Sequence, residues 1–170
     1  PEAAAAAIDD CAQQLCDRID EVLAAAHTQT GRCEVDRIVD RCVAAVVARA
    51  GTPVVLRTSL DAGSALAGCN AEYLRVAVVR ALDLAIAHAG NGGEVALATT
   101  VVEDGIELAI SAIRLDGAAA RVGAGHLRER GLTLQAFVAG WQGRCRLVGG
   151  DADDRFAIAM QLPLALADRS

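Results

Sequence analysis

Residues 69–97 read CNAEYLRVAVVRALDLAIAHAGNGGEVAL, and this stretch decides the fold. Asn70 is a good helix N-cap, because its side-chain oxygen can accept from the backbone N–H groups that a helix start leaves unpaired. Leu74, Val78, Ala81, Leu82, Ala85, Ile86 and Ala89 then recur at helical spacing, which predicts a helix over about Ala71 to Ala89 with one buried side. Gly90-Asn91-Gly92-Gly93 breaks it, and Val95 opens an alternating stretch. A long helix thus runs through a glycine turn directly into a strand.

Downstream, Val95, Leu97, Thr99 and Val101 alternate, and so do Ile106, Leu108, Ile110 and Ala112. Asp104-Gly105 between them is a strong hairpin signal. Leu115 to Gly125 is rich in Gly and Ala and has no clear period. A helix is expected from about His126 to Trp141, with Leu127, Leu134, Phe137, Val138 and Trp141 inward and Gly143 closing it. Arg144 to Val148 and Arg155 to Leu162 read as a last hairpin, with Phe156, Ile158, Met160 and Leu162 on one face.

Upstream, Val54 to Leu60 is a short β-branched run that reads as a strand, and Asp61 to Gly68 reads as a loop. A helix is expected over about Glu34 to Ala50, with Val35, Ile38, Val39, Cys42, Val43 and Val46 inward and Gly51-Thr52-Pro53 as its stop. Glu2 to about Thr28 reads as one further long helix, with a narrow apolar seam of Ile8, Cys11, Leu15, Ile19, Val22 and Ala26. Such a seam suits packing on another helix or on its own copy. The predicted order is α-α-β-α-β-β-α-β-β. Helices mixed with hairpins suggest an α+β protein, a sheet covered on one face by helices.

Composition narrows the function. The 170 residues are 54% apolar, enough for a core, yet only four are aromatic: Tyr73, Phe137, Trp141 and Phe156. A net charge of −6 argues against a nucleic-acid or anionic-membrane surface. All sixteen basic residues are Arg, so a Schiff-base lysine and a Walker-A lysine are excluded. The six cysteines, at 11, 16, 33, 42, 69 and 145, form no C-x-x-C pair and do not suggest zinc. They read as buried free thiols of a cytoplasmic protein. No apolar run approaches the roughly 20 residues of a membrane span, and no signal-peptide pattern opens the chain. The sequence starts at Pro1 rather than Met, as expected of a piece of a longer protein.

Four stretches together resemble the ATP-binding domain of sensor histidine kinases, a two-layer α/β sandwich also found in gyrase B and MutL. The 69–97 stretch looks like the family's long helix, glycine turn and strand. VVEDGIELAISAI, residues 101–113, looks like its central hairpin. RGLTLQAFVAGWQGRCRLVGG, residues 130–150, looks like its glycine-started helix and next strand. RFAIAMQLPL, residues 155–164, looks like its closing strand with a Leu-Pro-Leu ending. The likeness covers about Pro53 to Ala165. It implies a sandwich domain over residues 31–170 and, over 1–30, a helix resembling part of a dimerisation hairpin.

The same resemblance locates the functional residues, and most of them differ. The family's magnesium-binding asparagine falls at Leu84, a second asparagine at Arg80 and its lysine at Ala87. Leu offers no oxygen to a hard cation. Asp83 and His88 are the polar residues left nearby, and both read as solvated helix-face groups. The family's Asp-x-Gly-x-Gly adenine turn survives as a displaced Asp116-Gly117. The mobile lid is cut to a few residues, which leaves a nucleotide open to water. Gly123, Gly125 and Gly131 suggest at most a glycine loop at a helix N-terminus, a generic anion site. No His-Glu-x-x-x-Pro phospho-acceptor motif occurs, and His27 and His126 read as helix-end residues.

The expectation is therefore a degenerate kinase-like domain of two-component signalling. It would act as an interaction or phosphotransfer module that docks a response regulator or partner kinase, as a homodimer through its first helix, with no catalytic residue, cofactor or metal of its own. The alternative is the catalytic fragment of an atypical histidine kinase. That protein would hold ATP and Mg2+ through Arg80, Asp83, His88, Asp116, Gly117, Gly123, Gly125 and Gly131. A partner-switching domain of the anti-sigma kind shares the sandwich but would keep the ATP residues. Three histidines on separate elements make a Ser/His/Asp hydrolase improbable.

Overall fold

A computed structural model describes residues 31–49, 53–115, 124–149 and 154–165, backbone alone at Arg49 and over 124–129. The elements run β1 (Cys33–Glu34), α1 (Val35–Arg49), β2 (Val55–Asp61), β3 (Leu66–Ala67), α2 (Ala71–Ala89), β4 (Glu94–Val102), β5 (Gly105–Ile113), α3 (Ala124–Ala139), β6 (Arg144–Val148) and β7 (Arg155–Leu162). The expected long helix over Glu2 to Thr28 lies outside the described residues.

Helix α2 forms where its sequence signals place it. Asn70 sits in extended geometry and its Oδ1 accepts from the Glu72 N–H at 2.9 Å, while the Gly90 N–H closes the last turn on the Ile86 carbonyl. The chain then reverses through Gly90 and Gly92, both with positive φ. Gly93 admits no side chain, since a Cβ there would meet the Ala89 carbonyl oxygen at 2.3 Å. This close approach lets β4 start directly beneath the end of α2.

Five strands form one sheet in the order β2-β4-β5-β7-β6, with β2 parallel to β4 and every other pair antiparallel. The β4–β5 register pairs Leu97 with Ile110 and Thr99 with Leu108, and β5–β7 pairs Leu108 with Met160 and Ile110 with Ile158. These side chains form the inner face and are fully buried or nearly so. Helix α2 lies against that face, with α1 on one flank and α3 on the other. The α1 stripe Val35, Val39, Cys42 and Val46 is buried with the same core. The outer face is built of small residues: Ala96, Ala98, Ala109, Ser111, Ala157 and Ala159 occupy its centre. One face of an antiparallel sheet can stay wet in this way.

Three expectations are corrected. Residues 61–68 are not wholly loop: Leu66–Ala67 pairs antiparallel with Cys33–Glu34, so Glu34 is strand and α1 starts at Val35. The third helix ends at Ala139, before Trp141, because Gln142 turns to a φ of 62° on the way to β6. His88 is not on a solvated face. It is fully buried, and its ring lies against Phe156 of β7 with centroids 5.3 Å apart.

A polar knot ties α1 to the sheet. The hydroxyl of the buried Thr99 donates to Asp36 Oδ1 at 2.5 Å and accepts from the backbone N–H groups of Asp61 at 3.1 Å and Ala62 at 3.4 Å. Asp36 Oδ2 also accepts from the Gly63 N–H at 2.7 Å. Asp36 stands in the first turn of α1, where a carboxylate also suits the helix dipole.

Candidate functional site: the cleft between the long and last helices

Residues 80, 83, 84 and 87 form one stripe of α2, since steps of three and four return to the same side of a helix. This stripe turns away from the centre of the sheet and toward α3. Arg80, Asp83 and Leu84 from α2 and Arg130 and Thr133 from α3 line a cleft of about 220 Å³. Arg130 and Thr133 share a face of α3 by the same spacing.

Arg80 is half-buried, and its guanidinium carbon lies 5.9 Å from the centre of the Phe137 ring. Phe137 meets Trp141 edge-on at 4.8 Å and Tyr73 at 6.0 Å. Three of the four aromatic residues of the chain thus back this wall of the cleft. A guanidinium over an aromatic face is held electrostatically. Leu84 is only 3% exposed and contributes hydrocarbon where the resemblance expects a metal-binding amide.

The donor set does not fit magnesium. That ion needs several hard oxygens in near-octahedral order. The cleft offers one carboxylate, one hydroxyl and two cations, and the guanidiniums repel a divalent ion across so short a span. The same two arginines suit an anion, because the planar guanidinium can pair with two oxygens at once.

Of the residues the sequence singled out, the cleft brings together Arg80 and Asp83. His88 stands one turn beyond Leu84 and points into the core instead. Asp116, Gly117 and Gly123 lie outside the described residues. Gly125 and Gly131 belong to α3 itself, so Gly131 is no part of a loop. It is a contact point between α3 and β6, where a Cβ would meet Leu147 Cδ2 at 2.4 Å. Sequence reasoning missed Arg130 and Thr133, whose one local signal is their shared helix face.

No protein family's sequence profile matches the chain, and no curated protein matches it either. Solved structures do match in shape. A histidine kinase from Burkholderia phymatum superposes with a TM-score of 0.68 at 15% identity, over 90% of this chain and 79% of that one. The mycobacterial sensor histidine kinase MprB gives 0.61 at 19% identity, over 81% of this chain and all of that one, 100%. The catalytic domain of histidine kinase ThkA gives 0.64 at 6% identity, over 80% and 96%. The chain has the fold of histidine kinase catalytic domains. At such identities the likeness speaks for the fold alone.

Proposed function

We propose that this chain is a two-component signalling module that keeps the histidine kinase sandwich as a protein-binding or phosphotransfer scaffold and works without Mg-ATP. Its partner is a response regulator or a second kinase, its setting is the cytoplasm, and residues 1–30 supply its dimer contact. Among the described residues no helix is long and apolar enough to cross a membrane.

The observation that supports the proposal is the burial of Leu84, which the sequence resemblance aligns with the family's metal-binding asparagine, with Arg80 one turn before it in the same cleft. An apolar side chain cannot ligate magnesium, and a guanidinium beside it opposes the ion. Without the metal, the charge on a transferring phosphoryl group goes uncompensated.

The test is a melting curve with and without millimolar Mg-ATP. A ligand that binds only the folded state must raise the melting temperature, by about 2.7 kcal/mol of stability at a hundredfold excess over Kd. No shift is expected, and a clear shift overturns the proposal. The second reading, an atypical kinase fragment, draws on the paired Arg80 and Arg130, which can meet phosphate oxygens directly. It requires both that shift and transfer of the γ-phosphoryl group to a histidine of the full chain.

A further inference from the structure

A second constellation lies at the opposite end of α2, and the proposed function makes no use of it. The Cys33 and Cys69 sulfurs stand 3.6 Å apart, 36 positions apart in sequence, with 6% and 3% of each residue exposed. Cys33 opens β1 and Cys69 directly precedes the Asn70 cap of α2. We propose that Cys33 and Cys69 are a peroxide-oxidisable dithiol, and that their disulfide staples β1 to the start of the long helix.

Several independent features converge on this pair. The two segments pack closely, since a Cβ on Gly31, two residues before Cys33, would meet the Cys69 carbonyl oxygen at 2.9 Å. The strand pairing of Cys33 with Ala67 fixes their register. Side-chain rotation is then the main motion that separates a contact of 3.6 Å from a disulfide bond of about 2.05 Å. The segment is also anchored on its far side: the Gly68 N–H donates to the Pro163 carbonyl at 2.8 Å and the Ala165 N–H to the Leu66 carbonyl at 2.8 Å.

Access and reactivity agree with that geometry. A cleft of about 630 Å³ is lined by Gly31, Arg32, Gly68, Pro163 and Leu164, which include the chain neighbours of both cysteines. Neither sulfur lines that cleft, and with 6% and 3% of each residue exposed the pair suits an oxidant as small as hydrogen peroxide. The hydrogen bond from the Cys69 thiol holds the Cys33 thiol below its ordinary pKa, against the opposing effect of burial. That same bond, then burial, pushes Cys69 up. Either sulfur can be the donor of that contact, so with Cys33 as the attacking sulfur and Cys69 as the resolving one, or the reverse, the disulfide is the same. The other two described cysteines lack this arrangement: burial pushes the Cys145 thiol up to about 11, and burial raises Cys42, whose sulfur contacts the Arg75 carbonyl oxygen. A metal reading fails, because a zinc site takes four ligands and no group of three or more His, Cys, Asp or Glu is gathered among the described residues.

The chemistry balances. The Cys33 thiolate attacks one peroxide oxygen, the O–O bond breaks, and the departing hydroxide takes up the thiol's proton as water. Cys33 is then a sulfenic acid. The Cys69 sulfur attacks the Cys33 sulfur, the S–O bond breaks, and hydroxide leaves with the Cys69 proton as a second water. Two thiols are oxidised and one peroxide is reduced.

The test treats the full chain with hydrogen peroxide, blocks remaining thiols with an alkylating reagent and maps the digest by mass spectrometry. The expected result is a Cys33–Cys69 linked peptide about 2 Da lighter than the sum of its reduced parts, lost on reduction with a dithiol. Alkylation of both Cys33 and Cys69 after peroxide would overturn the proposal. So would a linkage of either one to a different cysteine, or sulfinic acid at Cys33 with Cys69 still alkylable. The wild-type chain suffices, so no folding defect of a variant can blur the outcome.

Discussion

Two faces of one helix meet opposite surroundings. The side of α2 that meets the sheet holds Leu74, Val78, Ala81, Leu82 and Ala85, all fully buried, and keeps the packing a kinase-type sandwich needs. The side that meets α3 holds Arg80, Asp83 and Leu84, which line the cleft and offer one carboxylate among them. Packing is served by any side chain of suitable volume, whereas a metal site needs particular atoms at particular distances. Only Leu84 belongs to both, since it lines the cleft and is buried with the core. One can therefore be rewritten while the other continues to specify the fold.

Breaking the packing side is expected to have the largest effect. Leu108 is fully buried between Thr99 and Met160 in the cross-strand register. Leu108→Ala removes that volume and leaves a cavity, and is expected to cost about 3–4 kcal/mol in urea denaturation. The polar knot comes next. Thr99→Val keeps the shape but strips the hydroxyl that serves Asp36, Asp61 and Ala62 together. Buried groups left without their partner cost about 1–3 kcal/mol, so a midpoint shift of that size is expected. The cleft side is expected to be the most tolerant. Arg80→Ala loses its contact over Phe137, about 0.5–1 kcal/mol, and the same denaturation curve checks it. A loss from Arg80→Ala as large as from Leu108→Ala would erase the contrast between the faces.

The same contrast explains what the sequence revealed. Helix α2 and the β4–β5 hairpin emerge at their predicted places, because Asn70, the glycine turn and Asp104-Gly105 are local signals that nothing distant overrides. The pairing of β1 with β3 was not legible. Two residues give no period, and their partners come from far along the chain, Ala67 for Cys33 and Leu66 for Glu34. His88 was misread by its polarity. Its spacing from Ala81, Leu84 and Ala85 already put it on an apolar stripe, and Phe156 of β7 completes its surroundings. The α2 wall of the candidate cleft, Arg80, Asp83 and Leu84, could be named from that helix alone. Arg130 and Thr133 join it only through the docking of α3, for which Gly131 against Leu147 is a condition no local pattern announces.

The junction of Gly31–Glu34, Leu66–Gly68 and Pro163–Ala165 has a further consequence. Ala67 bridges Leu164, and both Gly31 and Ala165 line one cleft. The described chain therefore enters and leaves its sandwich through one doorway. Such a unit behaves as a cassette: joining its two ends by a short linker and reopening the chain at the exposed Asp104 turn preserves every strand pairing, as circular permutation requires.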